Sequence, residues 1–170
     1  MTIRIVLSTL LCFLAFSCHN STDNSNRNPK PGKKEMADLN KYLVQKDRER
    51  IQNYIERKEL KMTESPSGLW YDIINEGRGD YFKDNDRIVM EYDCYLLDGT
   101  ACYSSKELGP KIITLGKTEI EAGLNLGLRM LKPGGEAIFI IPPFLGFGLS
   151  GDRKKIPSMA VLVYNVKIKQ

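Results

Sequence analysis

The chain has 170 residues, 27% of them charged and 42% hydrophobic, with a formal charge of +4. That length allows one ordinary domain plus an appendage. The basic excess sits over residues 27–62, with eleven Lys and Arg against six Asp and Glu; residues 63–170 carry thirteen basic and fourteen acidic groups, which excludes a nucleic-acid surface on the domain.

Arg4 followed by the apolar run 5–16 reads as a signal peptide over residues 1–17. The run is too short to span a membrane, which takes about 20 apolar residues. It ends Leu14-Ala15-Phe16-Ser17-Cys18, which resembles a bacterial lipobox, although Phe16 is bulkier than that pattern usually carries. Cys18 is the expected lipidation site, and an acyl chain contributes ~0.8 kcal/mol per buried methylene. The expected location is therefore the cell envelope, lipid-anchored to a bacterial membrane and facing the periplasm or the cell surface. Residues 18–34 are polar and rich in Asn, Ser, Pro and Gly, a flexible tether from the lipidated cysteine. The basic charge beside the anchor suits anionic head groups, or a merely solvated charged segment.

Residues 35–62 contain no Gly or Pro and read as a charged helical segment. Met36, Leu39 and Leu43 form one apolar stripe, which Ile51, Tyr54, Ile55 and Met62 resume at near-helical spacing. The charged run 46–50 interrupts the stripe, whereas a dimerising helix wants an unbroken seam. One or two helices loosely packed against the domain, in a monomer, is the expectation.

The domain is assigned to residues 63–170. Residues 63–68 (TESPSG) break the helix, and strands are predicted over 69–74, 87–97, 100–104, 111–115, 137–142 and 159–164. One helix is predicted over 119–131, its face formed by Ile120, Leu124, Leu128 and Leu131. Gly123 and Gly127 are spaced for close approach to a sheet, and Lys132-Pro133-Gly134-Gly135 ends the helix. Strands on both sides of a single helix, joined by short turns, give an antiparallel α+β fold.

Cys94 and Cys102 flank the hairpin signal Asp98-Gly99. A strict two-residue turn puts them on opposite faces; one extra residue puts them within bonding reach. A disulfide is left open. The loop between the last two strands carries Phe144, Leu145, Phe147, Leu149 and Ile156 among glycines and prolines, unlike an ordinary polar loop. It either closes over the core or walls an apolar cleft.

Elimination narrows the chemistry. The single histidine, His19, lies in the tether, so the domain holds no Ser-His-Asp or Cys-His arrangement and no histidine-ligated zinc. No metal or cofactor is implied, and no phosphate loop or dinucleotide fingerprint is present. Rotation about an X–Pro bond needs none of these. Its barrier of ~18–20 kcal/mol is amide resonance, and a dry apolar pocket favours the twisted, deconjugated amide over the planar one.

Residues 67–170 resemble the FKBP-type peptidyl-prolyl isomerase domain. The matching stretches include Glu76-Gly77-Arg78-Gly79, Asp86-Arg87-Ile88-Val89, Leu97-Asp98-Gly99-Thr100, Leu115-Gly116-Lys117, Ile141-Pro142-Pro143, Gly146-Phe147-Gly148 and Ile156-Pro157. The resemblance implies a sheet of five to six antiparallel strands wrapped around one short helix, with a pocket between them. It places Tyr92, Tyr103, Ile120, Glu121, Phe147 and Tyr164 at catalytic positions, Glu121 through its backbone amide. It places Cys102, Ile113, Leu124 and Ile156 in the substrate-binding wall. Several positions depart from the family: Tyr103 replaces the pocket Asp, Cys102 a Phe, and Phe147 a Tyr whose hydroxyl bonds the ligand carbonyl. Leu124 stands where many members have Trp, and Tyr164 where Phe is usual.

What the resemblance implies is a membrane-anchored isomerase with weak or altered activity that assists folding of exported proteins. Its partners are proline-containing polypeptides. The alternative is a non-catalytic binding lipoprotein serving an envelope complex, in layout similar to the gliding-motility-associated isomerase lipoproteins.

Overall fold

A computed structural model describes residues 32–169; the signal peptide, Cys18 and most of the tether lie outside the described residues. Helix α1 spans Lys33–Lys58, and a small strand β1 (Thr63–Glu64) follows. Strands β2 (Trp70–Asn75), β3 (Arg87–Leu96) and β4 (Ala101–Ser104) precede the short helix α2 (Ser105–Leu108). Strand β5 (Lys111–Thr114), helix α3 (Ala122–Leu128), and strands β6 (Glu136–Ile141) and β7 (Leu162–Ile168) complete the chain. All pairings are antiparallel, in the order β1-β2-β6-β7-β3-β4, with β5 also paired to β3.

The expected α+β architecture is present, with seven strands rather than five or six. The additional strand comes from the start of the predicted breaker: Thr63 and Glu64 pair with Tyr71 and Trp70 before the chain turns. A two-residue strand leaves no alternation to read. β7 begins later than predicted and runs on to Ile168. Tyr164, Val166 and Ile168 keep one face buried, while Asn165 and Lys167 point to solvent.

The sheet has two covered faces. On one, Phe139, Ile141, Leu162, Tyr164 and Val166 pack with Leu124, Leu128 and Leu131 in the main core. On the other, Trp70, Ile140, Val161 and Val163 pack against Ile51 of α1. The charged run 46–50 therefore does not interrupt the helix. Asp47 is itself buried and pairs with Arg50 at 2.9 Å, so the buried stripe runs through Asp47 into Ile51. Full burial of Ile51 contributes about 1.5–3 kcal/mol, firmer seating than the loose packing expected. Met36, Leu39 and Tyr42, at the other end of α1, stay exposed. No helix among the described residues is long and apolar enough to cross a membrane.

The domain's helix is shorter than the predicted 119–131 at both ends: Glu121 is extended (φ −55°, ψ 135°), and the Met130 and Leu131 amides bond to the Gly127 and Leu128 carbonyls three residues back. Its seat on the sheet depends on two glycines. A Cβ on Gly123 would lie 2.6 Å from Ile141 Cγ2, and one on Gly127 would lie 2.7 Å from the Phe139 ring. Ring and branched side chain are both fully buried and cannot step aside. Gly127→Ala is therefore expected to lower the stability of the purified protein by about 1–3 kcal/mol through overpacking. A lower urea midpoint at unchanged slope is the readout, and an unchanged midpoint would refute the contact.

Candidate functional site

Residues 119–121 leave a turn at Thr118, whose hydroxyl accepts a 2.8 Å hydrogen bond from the Thr114 amide. Ile120 and Glu121 then line a cleft of about 370 Å³, together with Lys111 of β5, Glu119, and Gly146 and Phe147 of the loop after β6. The Glu121 backbone N–H has no acceptor among the described residues, in a residue that lines the cleft. Behind it, Cys102, Ile113, Leu124 and Ile156 are each at most 2% exposed. They belong to the core on which Tyr92, Ile120 and Phe147 pack, and none of them lines the cleft.

The loop expected to act either as lid or as wall does both. Ile156 is buried, Leu145 packs on the core, and Phe147 lines the cleft. Phe144 turns the other way, beside Gly68, Trp70 and the α1 residues Val44 and Ile51.

Polar chemistry enters through Tyr164 and Glu121. The Tyr164 hydroxyl donates to Glu121 Oε1 at 2.7 Å, with both groups buried. Burial, then the neighbouring carboxylate, pushes the Tyr164 pKa far above the ordinary tyrosine value, so the hydroxyl remains a donor. Tyr92 lies beside it, ring centroids 6.1 Å apart and planes tilted by 37°, its own pKa raised first by burial. Glu121 Oε2 has no hydrogen bond, and the Lys111 ammonium stands 4.0 Å from it.

Tyr103 does not line the cleft. Its hydroxyl donates to Asp152 Oδ2, while Asp152 Oδ1 accepts from the Lys154 and Ile156 amides, both at 2.8 Å. Burial opposes the Asp152 charge, but the hydrogen bonds from Tyr103 and those two amides leave its pKa lowered. Tyr103 thus braces the segment that delivers Ile156 to the core.

A family model described as FKBP-type peptidyl-prolyl cis-trans isomerase matches residues 79–169. The chain belongs to this family. It is 38% identical over 102 residues to a probable FKBP-type isomerase, FkpA, of Neisseria meningitidis, a match covering 60% of this chain and 37% of that one. It is 33% identical over 111 residues to a probable FKBP-type isomerase of Haemophilus influenzae, covering 65% and 45%. The chain thus spans less than half the length of these curated relatives. Among solved structures, FkpA from Escherichia coli superimposes with a TM-score of 0.64 at 25% identity, covering 83% of this chain and 73% of that one. AtFKBP13 superimposes with a TM-score of 0.59 at 27% identity, covering 65% and 98%.

Of the residues singled out in this FKBP-type domain, the structure gathers Ile120, Glu121 and Phe147 at the cleft, with Tyr164 bonded to the Glu121 carboxylate and Tyr92 beside the Tyr164 ring. Lys111, Glu119 and Gly146 also line it and were not anticipated. Lys111 had a readable signal: it lies two residues before the buried Ile113, hence on the same face of β5. A lysine on a core-facing position asks for a partner.

Cys94 and Cys102 are free thiols, both buried. Cys94 opposes Tyr103, and a register shift leaves Cys102 as the extra residue before Ala101 pairs with Tyr95. Burial, the largest cause, pushes the Cys94 thiol up from 9.0 to about 12. A raised folded value favours the protonated thiol, so this stabilisation is complete below the unfolded value near 9.0 and is lost as pH rises toward 12. The urea midpoint should fall between pH 8 and 10.5 more steeply in the wild type than in Cys94→Ala. Equal slopes would contradict the burial of an intact thiol.

Proposed function

We propose that this chain is a peptidyl-prolyl cis-trans isomerase acting on proline-containing polypeptides in a bacterial envelope. The observation that carries the reading is the unpaired Glu121 N–H at a cleft backed by Ile113, Leu124 and Ile156. Amide rotation needs no proton relay or metal. It needs a place where a twisted amide is better solvated than a planar one. The twisted form has lost N–C=O conjugation and its charge separation, so an apolar wall favours it. The free N–H gives a substrate carbonyl a fixed donor while water is excluded.

Phe147 makes the activity weak or altered. Its ring packs against the core and lines the cleft, but it presents no hydroxyl to a carbonyl. That same observation favours a second reading, a non-catalytic binding lipoprotein for an envelope complex such as a gliding-motility machine. In either case the protein is held to the membrane through lipidated Cys18, with residues 18–34 as tether, and acts as a monomer.

Exchange between cis and trans X–Pro bonds in peptides, followed by a protease-coupled assay, separates the two readings. Catalysed exchange is expected; rates equal to buffer alone with folded protein would leave only the binding role. Phe147→Tyr should raise kcat/KM several-fold, the value of one added net hydrogen bond of about 0.5–1.5 kcal/mol. No change would argue against Phe147 as a substrate-facing residue. For the anchor, Cys18→Ser should move the full-length protein from the membrane to the soluble fraction, and persistent attachment would rule out lipidation at that cysteine.

A further inference from the structure

Among the described residues, two buried side-chain polar atoms have no hydrogen-bond partner, Trp70 Nε1 and Glu121 Oε2. The indole lies in the cluster under α1. The carboxylate belongs to a residue of the cleft itself. A buried carboxylate oxygen without a donor is costly, and the two oxygens together can accept about four hydrogen bonds. Here one is made, by Tyr164.

We infer that Glu121 Oε2 is a specificity contact, accepting a hydrogen bond from the side chain of a Lys or Arg that flags the proline from a neighbouring position in the substrate. The inference rests on the isomerase reading of the cleft. Lys111 does not already fill this role. Its ammonium stands 4.0 Å from the oxygen, beyond hydrogen-bond reach, and its side chain is 36% exposed. It can turn into solvent and yield its place to an incoming cation, which then takes over as the counter-charge of the buried carboxylate. The charge balance of the wall favours a cation: Glu119 and Glu121 oppose Lys111 alone. A neutral donor would satisfy the oxygen but gain nothing from the second carboxylate. An acidic neighbour of the proline would be repelled by both. Charge-assisted hydrogen bonds are the stronger class, and one of ordinary strength corresponds to a preference of about tenfold or more.

The test uses the purified protein and short peptides with Lys, norleucine or Glu placed before or after a single proline. Binding is titrated by NMR chemical shift, and cis–trans rates are read from exchange spectra of the same samples. On at least one side of the proline, the Lys peptide should bind about tenfold more tightly than its norleucine counterpart, with the Glu peptide weakest. Glu121→Gln should bring the Lys and norleucine peptides to within about threefold, and Lys111→Met should widen the preference by removing the competing ammonium. Binding of all three peptides within threefold on both sides overturns the inference, and needs no variant to show it. So does a Glu121→Gln protein that keeps the preference. Selective binding without accelerated exchange would preserve this contact and remove the isomerase reading instead.

Discussion

The close approach of Gly123 and Gly127 to β6 sets the spacing on which the site depends. With Ile141 and Phe139 already where a Cβ would fall, the helix lies as near the sheet as backbone allows. Only at that spacing can Glu121, one residue before the helix, reach Tyr164 in the sheet with a 2.7 Å hydrogen bond. A side chain at either glycine would push the helix outward and separate the two. The close seat of the helix on the sheet and the cleft's main polar contact are therefore one geometric fact.

The cleft combines an apolar backing with a polar wall. Leu124, Ile113 and Ile156 are buried in the core against which Ile120 and Phe147 pack, which suits a reaction that gains from low polarity. Glu121 and Lys111 add charges that the rotation of an amide does not need. Charges at such a place select rather than catalyse, because a buried carboxylate oxygen without a hydrogen-bond donor discriminates between partners that satisfy it and partners that do not. The remaining polar residue expected there, Tyr103, is occupied with Asp152 and acts on the loop instead.

Much of the fold was legible because its signals are local. Strand-like apolar runs marked β3 and β6, and Asp98-Gly99 marked the hairpin. The paired glycines pointed to close helix packing before any contact was known. What escaped were features without local periodicity. Thr63 and Glu64 are too few to alternate, Glu121 is extended where its neighbours suggested helix, and the charged run 46–50 concealed a buried aspartate. The cleft was half legible: Ile120, Glu121 and Phe147 followed from the family resemblance, whereas Lys111 was visible only as an odd residue on a buried face.

By itself, the sequence determined the class of fold, the apolar face of the domain's helix, and the absence of histidine from the domain, and with it the chemistry available there. These follow from residue type and spacing, which the chain carries wherever it folds. Only the tertiary structure decided that Tyr164 spends its hydroxyl on Glu121, that Tyr103 turns to Asp152, and that Glu121 Oε2 is left without a donor. Residues 121 and 164 meet across the core, and 103 and 152 meet across a loop. Hydrogen bonds between such distant positions depend on ångström-scale packing that no local pattern encodes.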